Sequence, residues 1–312
     1  MTYWQRLVVH IQRWKSILWR FLTHIAKVVF QKDNYSYYFI SRPRISKDIT
    51  QFCNSTLRKG RGPQTIKELK SSLQSTPNCA NIYHIIQNNS DFDVELISNW
   101  ILEKTPKQPD NIKTDLVAVL EDLKHLQYLK ERIRQRQTTC FDHDNPLHEE
   151  TLFKLWDLLL ASTSHESFHK KSEEWAKLGF QGKDPATDFR GGGFLALQQL
   201  VYFAETRREL VLQMLNEASE SYPFACVGIR CTVAIVQLLD EDYLDALLYG
   251  CSEEQALNMI HERYCELWIR FHRSWKNKKW SDIMSFKTCF EEQLDKAKHS
   301  LQRNGYISEC DE

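Results

Sequence analysis

Glycine and proline are scarce in this chain, ten and eight of 312 residues, and no internal repeat is present. The first scarcity, with long segments of helical apolar spacing and no run of alternating apolar and polar residues, argues against a sheet-based domain and for an all-α fold. The missing repeat excludes a solenoid. An excess of charge of either sign is also missing: 41 basic residues face 41 acidic ones and the pI is near 7.2. A nucleic-acid binder would show a basic excess, so no nucleic-acid partner is expected. Nine cysteines (53, 79, 140, 226, 231, 251, 265, 289 and 310) are odd in number and contain no C-x-x-C pair. That pattern reads as a reduced, intracellular compartment rather than a disulfide framework. With 42% apolar residues the chain can bury one large core or two modest ones.

What is present, and unusual, is the stretch 175–203, WAKLGFQGKDPATDFRGGGFLALQQLVYF. A helix is expected to end at Leu178-Gly179, where glycine permits a left-handed cap. Gly182, Pro185, Thr187, Asp188 and Gly191-Gly192-Gly193 then interrupt any regular element, and Phe194, Leu197, Leu200, Val201 and Ala204 resume a helical spacing. Arg190 therefore lies in a glycine-flanked loop between two helices. Its guanidinium is open to two readings: an ion pair with Asp188 or a nearby carboxylate that orders the loop, or a planar, forked donor offered to a transferring phosphoryl group. The glycine run lacks the following Lys-Ser/Thr of a phosphate loop, so any nucleotide belongs to a partner.

Trp175, Leu178-Gly179-Phe180-Gln181, Pro185, Thr187-Asp188-Phe189-Arg190-Gly191, Gly193, Leu195, Leu197, Leu200 and Tyr202-Phe203 resemble the signature of the ELMO domain, and the arginine-containing form resembles its ELMOD branch. Ala196 stands where members often have glycine, and Gln199 where asparagine is usual. The resemblance implies an all-α helical domain over residues 145–303. It also implies GTPase activation on Arf and Arf-like small GTPases in the GTP form, with Arg190 as catalytic finger and Gln181, Asp188, Gly191 and Gly193 as binding residues. On that reading the chain has no independent active site, cofactor or metal, because GTP and Mg²⁺ belong to the partner. A second reading is an adaptor that uses the same domain only to hold a GTPase or its regulator.

Before this domain the sequence divides in two. Residues 1–32 carry Arg6, Arg13, Arg20 and Lys27 opposite an arc with Trp4, Leu7, Ile11, Trp14, Leu18 and Phe21, and no acid precedes Asp33. Such a leader suits a membrane interface over residues 3–30, a mitochondrial targeting sequence, or a docking helix. Residues 33–144 are expected to form a helical region packed on the domain. Tyr35, Tyr37, Tyr38 and Phe39 form an aromatic cluster, and helical spacings recur around Leu69 and Leu73, Ile82 to Ile86, and Val94 to Ile101. Ile112 to Arg136 reads as one amphipathic helix, with Lys130, Glu131, Arg132, Arg134 and Arg136 at a solvated end. Asn145-Pro146 marks the next helix start.

His165-Glu166-Ser167-Phe168-His169 matches the zinc pattern H-E-x-x-H, but Ser162-Thr163-Ser164 breaks the helix it requires and no third ligand follows. It is read as accidental, and a zinc hydrolase is the least supported function. Beyond the motif, Leu210 to Leu215 continue a helix, Val227 to Leu239 form a buried core helix rather than a membrane span, and two aromatic-rich helices lead to a tail at 304–312. Cys226 and Cys231 read as small packing residues.

Overall fold

A computed structural model describes residues 48–77, 79–105, 111–160, 167–219, 221–277 and 285–307. All of them fall in one compact unit, residues 47–312. The basic leader and the Tyr35–Phe39 cluster lie outside the described residues.

Three short helical turns, Ile49–Gln51, Phe52–Thr56 and Leu57–Lys59, lead into α1 (Pro63–Ser75), α2 (Ala80–Asn88), α3 (Val94–Glu103) and the long α4 (Ile112–Thr138). Then come α5 (Pro146–Leu159), a single turn α6 (Glu174–Lys177), a 3₁₀ turn (Pro185–Arg190) and α7 (Gly193–Thr206). The chain closes with α8 (Arg208–Ala218), α9 (Phe224–Asp240), the short α10 (Asp245–Leu248), α11 (Glu253–Asn277) and α12 (Phe286–Asn304). No strand occurs among the described residues, as the composition led us to expect. The start of α5 follows its sequence signal: the Asn145 side chain accepts from the Leu147 N–H at 3.0 Å, and Pro146, which has no N–H to satisfy, takes the first helical position.

The motif helix α7 is the centre of the packing. Phe194, Leu195, Ala196, Leu197, Leu200, Val201 and Phe203 are all buried on it, and α4, α5, α8, α9 and α11 all pack against it. A helix exposed only at its last two residues is a core helix, and α9, exposed only at Arg230, Gln237 and Asp240, shares that character.

Two expectations are corrected here. Lys130 is not solvated but fully buried: its Nζ lies 2.6 Å from Asp242 and 3.0 Å from Asp245, and Lys70 Nζ reaches the same two acids at 3.0 and 2.5 Å. The other cations of α4 are also partnered, Arg132 and Arg136 by Glu253 at the start of α11 and Arg134 by Asp240. The second correction concerns α7, which does not run on through Leu215. Arg207 leaves helical geometry (φ −140°, ψ 45°) while its guanidinium pairs with Glu262 at 2.7 Å, so α8 begins as a separate helix.

Candidate functional site around Arg190

The loop that carries Arg190 rests on a chain of aromatic rings. Trp175 of α6 is completely buried. It meets Trp156 of α5 at 5.0 Å between centroids and Phe180 at 5.6 Å; Phe180 meets Phe189 at 5.7 Å, and Phe141 meets Phe189 at 5.6 Å. These are the separations at which aromatic pairs contribute beyond their buried area. Gly179 ends α6 in the left-handed region (φ +80°), and a Cβ there would sit 2.3 Å from the Phe224 main-chain nitrogen. The close approach lets Leu178 O and Gly179 O accept from the N–H groups of Ala225 and Cys226 at 2.8 and 3.4 Å, which caps the start of α9.

The segment expected to be plain loop contains a 3₁₀ turn. Asp184 caps it by accepting from the Ala186 N–H at 3.1 Å, with Pro185 at the first position. The same carboxylate pairs with His143 at 3.0 Å and Lys171 at 2.8 Å. Partial burial works against its charge, but these donors outweigh it and hold the carboxyl below its usual range. Phe189 is buried; Arg190, the last residue of the turn, is exposed.

Arg190 Nε donates to Thr187 O at 2.7 Å. No other hydrogen bond or ion pair to a described residue engages its guanidinium. The ion pair with Asp188 is therefore not formed. Asp188 Oδ2 instead accepts from the Gln181 N–H at 2.7 Å, while its Oδ1 is buried without a partner among the described residues. Cys226 lies near this carboxylate: burial, with the Asp188 charge adding to it, pushes its thiol up to about 11. That is a protonated, unreactive thiol.

Of the residues singled out from the sequence, Gln181, Arg190 and Gly191 are exposed and Asp188 is half-buried between them. Gly193 is buried below. Its φ is +58°, and an added Cβ would lie 1.9 Å from Gln137 O, so it serves the junction between α4 and α7. At that junction Phe194 N–H donates to Thr139 O at 2.8 Å, and Gln137 Nε2 to Gly191 O at 3.1 Å. Gln137, His143 and Lys171 brace the loop and were not singled out, since nothing local marks them. Asp184-Pro185 did carry a readable signal, a capping residue followed by proline. His169 follows non-helical backbone and uses its main-chain oxygen to accept from Trp175 Nε1 at 3.1 Å; His165 and Glu166 lie outside the described residues. Among the described residues no cluster of His, Cys, Asp or Glu is placed to hold a metal, and no helix is long and apolar enough to cross a membrane.

The sequence pattern of the ELMO/CED-12 family matches residues 131–290, which includes the whole Arg190 loop, α7, α9 and α11. The chain belongs to this family. Human ELMO domain-containing protein 2 is 31% identical over 251 residues, 77% of this chain and 83% of that protein. ELMO domain-containing protein B of Dictyostelium discoideum is 36% identical over 183 residues, 58% of this chain and 63% of its own. Mouse ELMO domain-containing protein 1 is 36% identical over 167 residues, 47% and 51% respectively. The chain thus spans about six-tenths of the length of the Dictyostelium ELMO protein and half of the mouse one. No solved structure matches it. Within this ELMO/CED-12 member, α4 enters the matched span only at residue 131.

Proposed function

We propose that this chain is a GTPase-activating protein for Arf-family or Arf-like small GTPases, and that it supplies Arg190 in trans. One observation carries the reading: the guanidinium stands exposed at the end of an anchored turn, held by its Nε alone. Its terminal nitrogens are left for a partner. The motif's resemblance to the ELMOD branch supports the choice of partner.

In GTP hydrolysis the γ-phosphoryl group passes through a transition state with charge spread over its oxygens, and an arginine supplied in trans neutralises that charge. The partner holds GTP and Mg²⁺. Rigidity of the donor matters because each ångström of misplacement lowers the rate steeply, and the packed Phe180–Phe189 layer restrains the turn from below. The basic residues 1–32 support a peripheral attachment to an intracellular membrane, which would keep the protein beside a membrane-bound GTPase.

The test is single-turnover GTP hydrolysis across a panel of Arf-like GTPases with wild type and Arg190→Lys. Lysine keeps the charge and loses the fork, so most of a stimulation on the order of 10³–10⁵ should vanish while affinity for the GTP-loaded partner changes little. If a folded Arg190→Lys protein stimulates as well as wild type, the adaptor reading replaces this one.

A further inference from the structure

We infer that Gln181 acts beside Arg190 as a second catalytic residue in trans, orienting the water that attacks the partner's γ-phosphate. The inference rests on the GTPase-activating reading and extends it to a residue four positions before the start of the 3₁₀ turn.

The geometry begins with two buried rings. Phe180 and Phe189 meet edge to face, 5.7 Å between centroids, inside the aromatic layer. Each is followed directly by an exposed polar residue, Gln181 after the first and Arg190 after the second. The ring contact makes the two segments neighbours at this point of the layer. Their main chains are also tied to each other. Asp188, two residues before Arg190, accepts from the Gln181 N–H at 2.7 Å. Upstream, Gly179 is fixed in the left-handed region against the start of α9. The backbone at Gln181 is therefore anchored by its own N–H and by the residue two positions before it.

The side chain is not held at all. The Gln181 amide makes no hydrogen bond to any described residue, although its own main-chain N–H is bonded. An amide combines an acceptor and a donor on one rigid plane and does not titrate, which is what aligning a neutral water against a phosphoryl oxygen requires.

In the step itself the water oxygen bonds to the γ-phosphorus, and the bond from that phosphorus to the β–γ bridging oxygen breaks. The electron pair of the broken bond stays on GDP, and one water proton passes to the released phosphate. Gln181 gains and loses nothing: Oε1 accepts a hydrogen bond from the water and Nε2 donates one to a γ-phosphate oxygen.

The experiment uses the full chain, a GTP- and Mg²⁺-loaded Arf-like GTPase that wild type stimulates, and the same GTPase with its own water-orienting glutamine changed to leucine. Gln181→Ala, and Gln181→Glu, which keeps the volume and loses the amide donor, should lower the maximal single-turnover rate by about 10²-fold with the half-saturating concentration little changed. Wild type should still stimulate the leucine-substituted GTPase, and the Gln181 variants should not. Melting curves within error of wild type exclude misfolding, since the Gln181 main-chain bond does not depend on the side chain. If wild type stimulates the native GTPase but not the leucine-substituted one, or if the Gln181 variants shift only the half-saturating concentration, this inference falls and the Arg190 reading stands. If wild type stimulates no GTPase of the panel, both fall.

Discussion

Gly193→Ala is the substitution whose cost the geometry specifies most fully. The new Cβ would lie 1.9 Å from Gln137 O and 2.8 Å from Thr139 O, both main-chain atoms at the end of α4, so no rotamer change relieves the contact. Restoring an ordinary separation of about 3.5 Å requires α7 to draw away from α4. That movement breaks the 2.8 Å bond from Phe194 N–H to Thr139 O. A buried donor left without its acceptor costs about 1–3 kcal/mol, overpacking about 1–3 kcal/mol, and an alanine at φ +58° about 1 kcal/mol more. The terms overlap, and a total of about 3–6 kcal/mol is a large part of the ~5–15 kcal/mol that holds a domain folded. In a domain of this size the melting temperature should drop by roughly 10–20 °C. The assay is thermal melting by far-ultraviolet circular dichroism and by tryptophan fluorescence, with Gly191→Ala and Gly182→Ala as controls. Gly191 would meet only Val233 Cγ2 at 3.7 Å and Gly182 meets nothing within 4 Å, so both should melt close to wild type. A Gly193→Ala protein that melts within about 3 °C of wild type would refute the close-contact argument.

Further outcomes follow from other parts of the molecule. Lys130→Met leaves Asp242 and Asp245 with Lys70 alone and should destabilise by about 3 kcal/mol in urea titration; a loss under about 1 kcal/mol would mean that solvent compensates the acids. His261 is buried against the Tyr202 ring at 4.7 Å, and burial, with the Arg136 charge adding to it and Glu262 opposing it, lowers its pKa from 6.5 to about 4. Because the unfolded chain then binds a proton that the native state refuses, stability should fall by about 2 kcal/mol from pH 7 to pH 5. His261→Phe should flatten that slope, and an unchanged slope would exclude His261 as its source. Removing residues 1–30 should shift the protein from the membrane pellet to the soluble fraction, and a truncated chain that still pellets places the anchor elsewhere.

Much of this was legible in the sequence because it is encoded locally. The helix starts at Asn145-Pro146, the left-handed stop at Gly179 and the apolar periodicity of α4, α7 and α9 need no information from distant residues. The partners of charged groups were not legible. Lys130 sits in a run of charged residues at a helix end and reads as solvated, yet its acids lie 112 and 115 residues further along the chain. Asp188 was a reasonable partner for Arg190 by proximity, and it bonds instead to a main-chain N–H seven residues earlier. In the glycine run, three identical residues have different surroundings: Gly191 faces outward, while Gly193 is pressed against a helix that ends 55 residues before it.

The cluster of Lys70, Lys130, Asp242 and Asp245 separates the span by which this chain is recognised from the span that must fold together. Residues 131–290 contain both aspartates and neither lysine. A polypeptide trimmed to those limits would keep two acids whose counter-charges had been cut away, and would strip from α7 most of the helix against which it is wedged. The smallest autonomous piece therefore has to begin upstream of Pro63, so that α1 brings Lys70 and α4 is whole. Its two ends should melt as one.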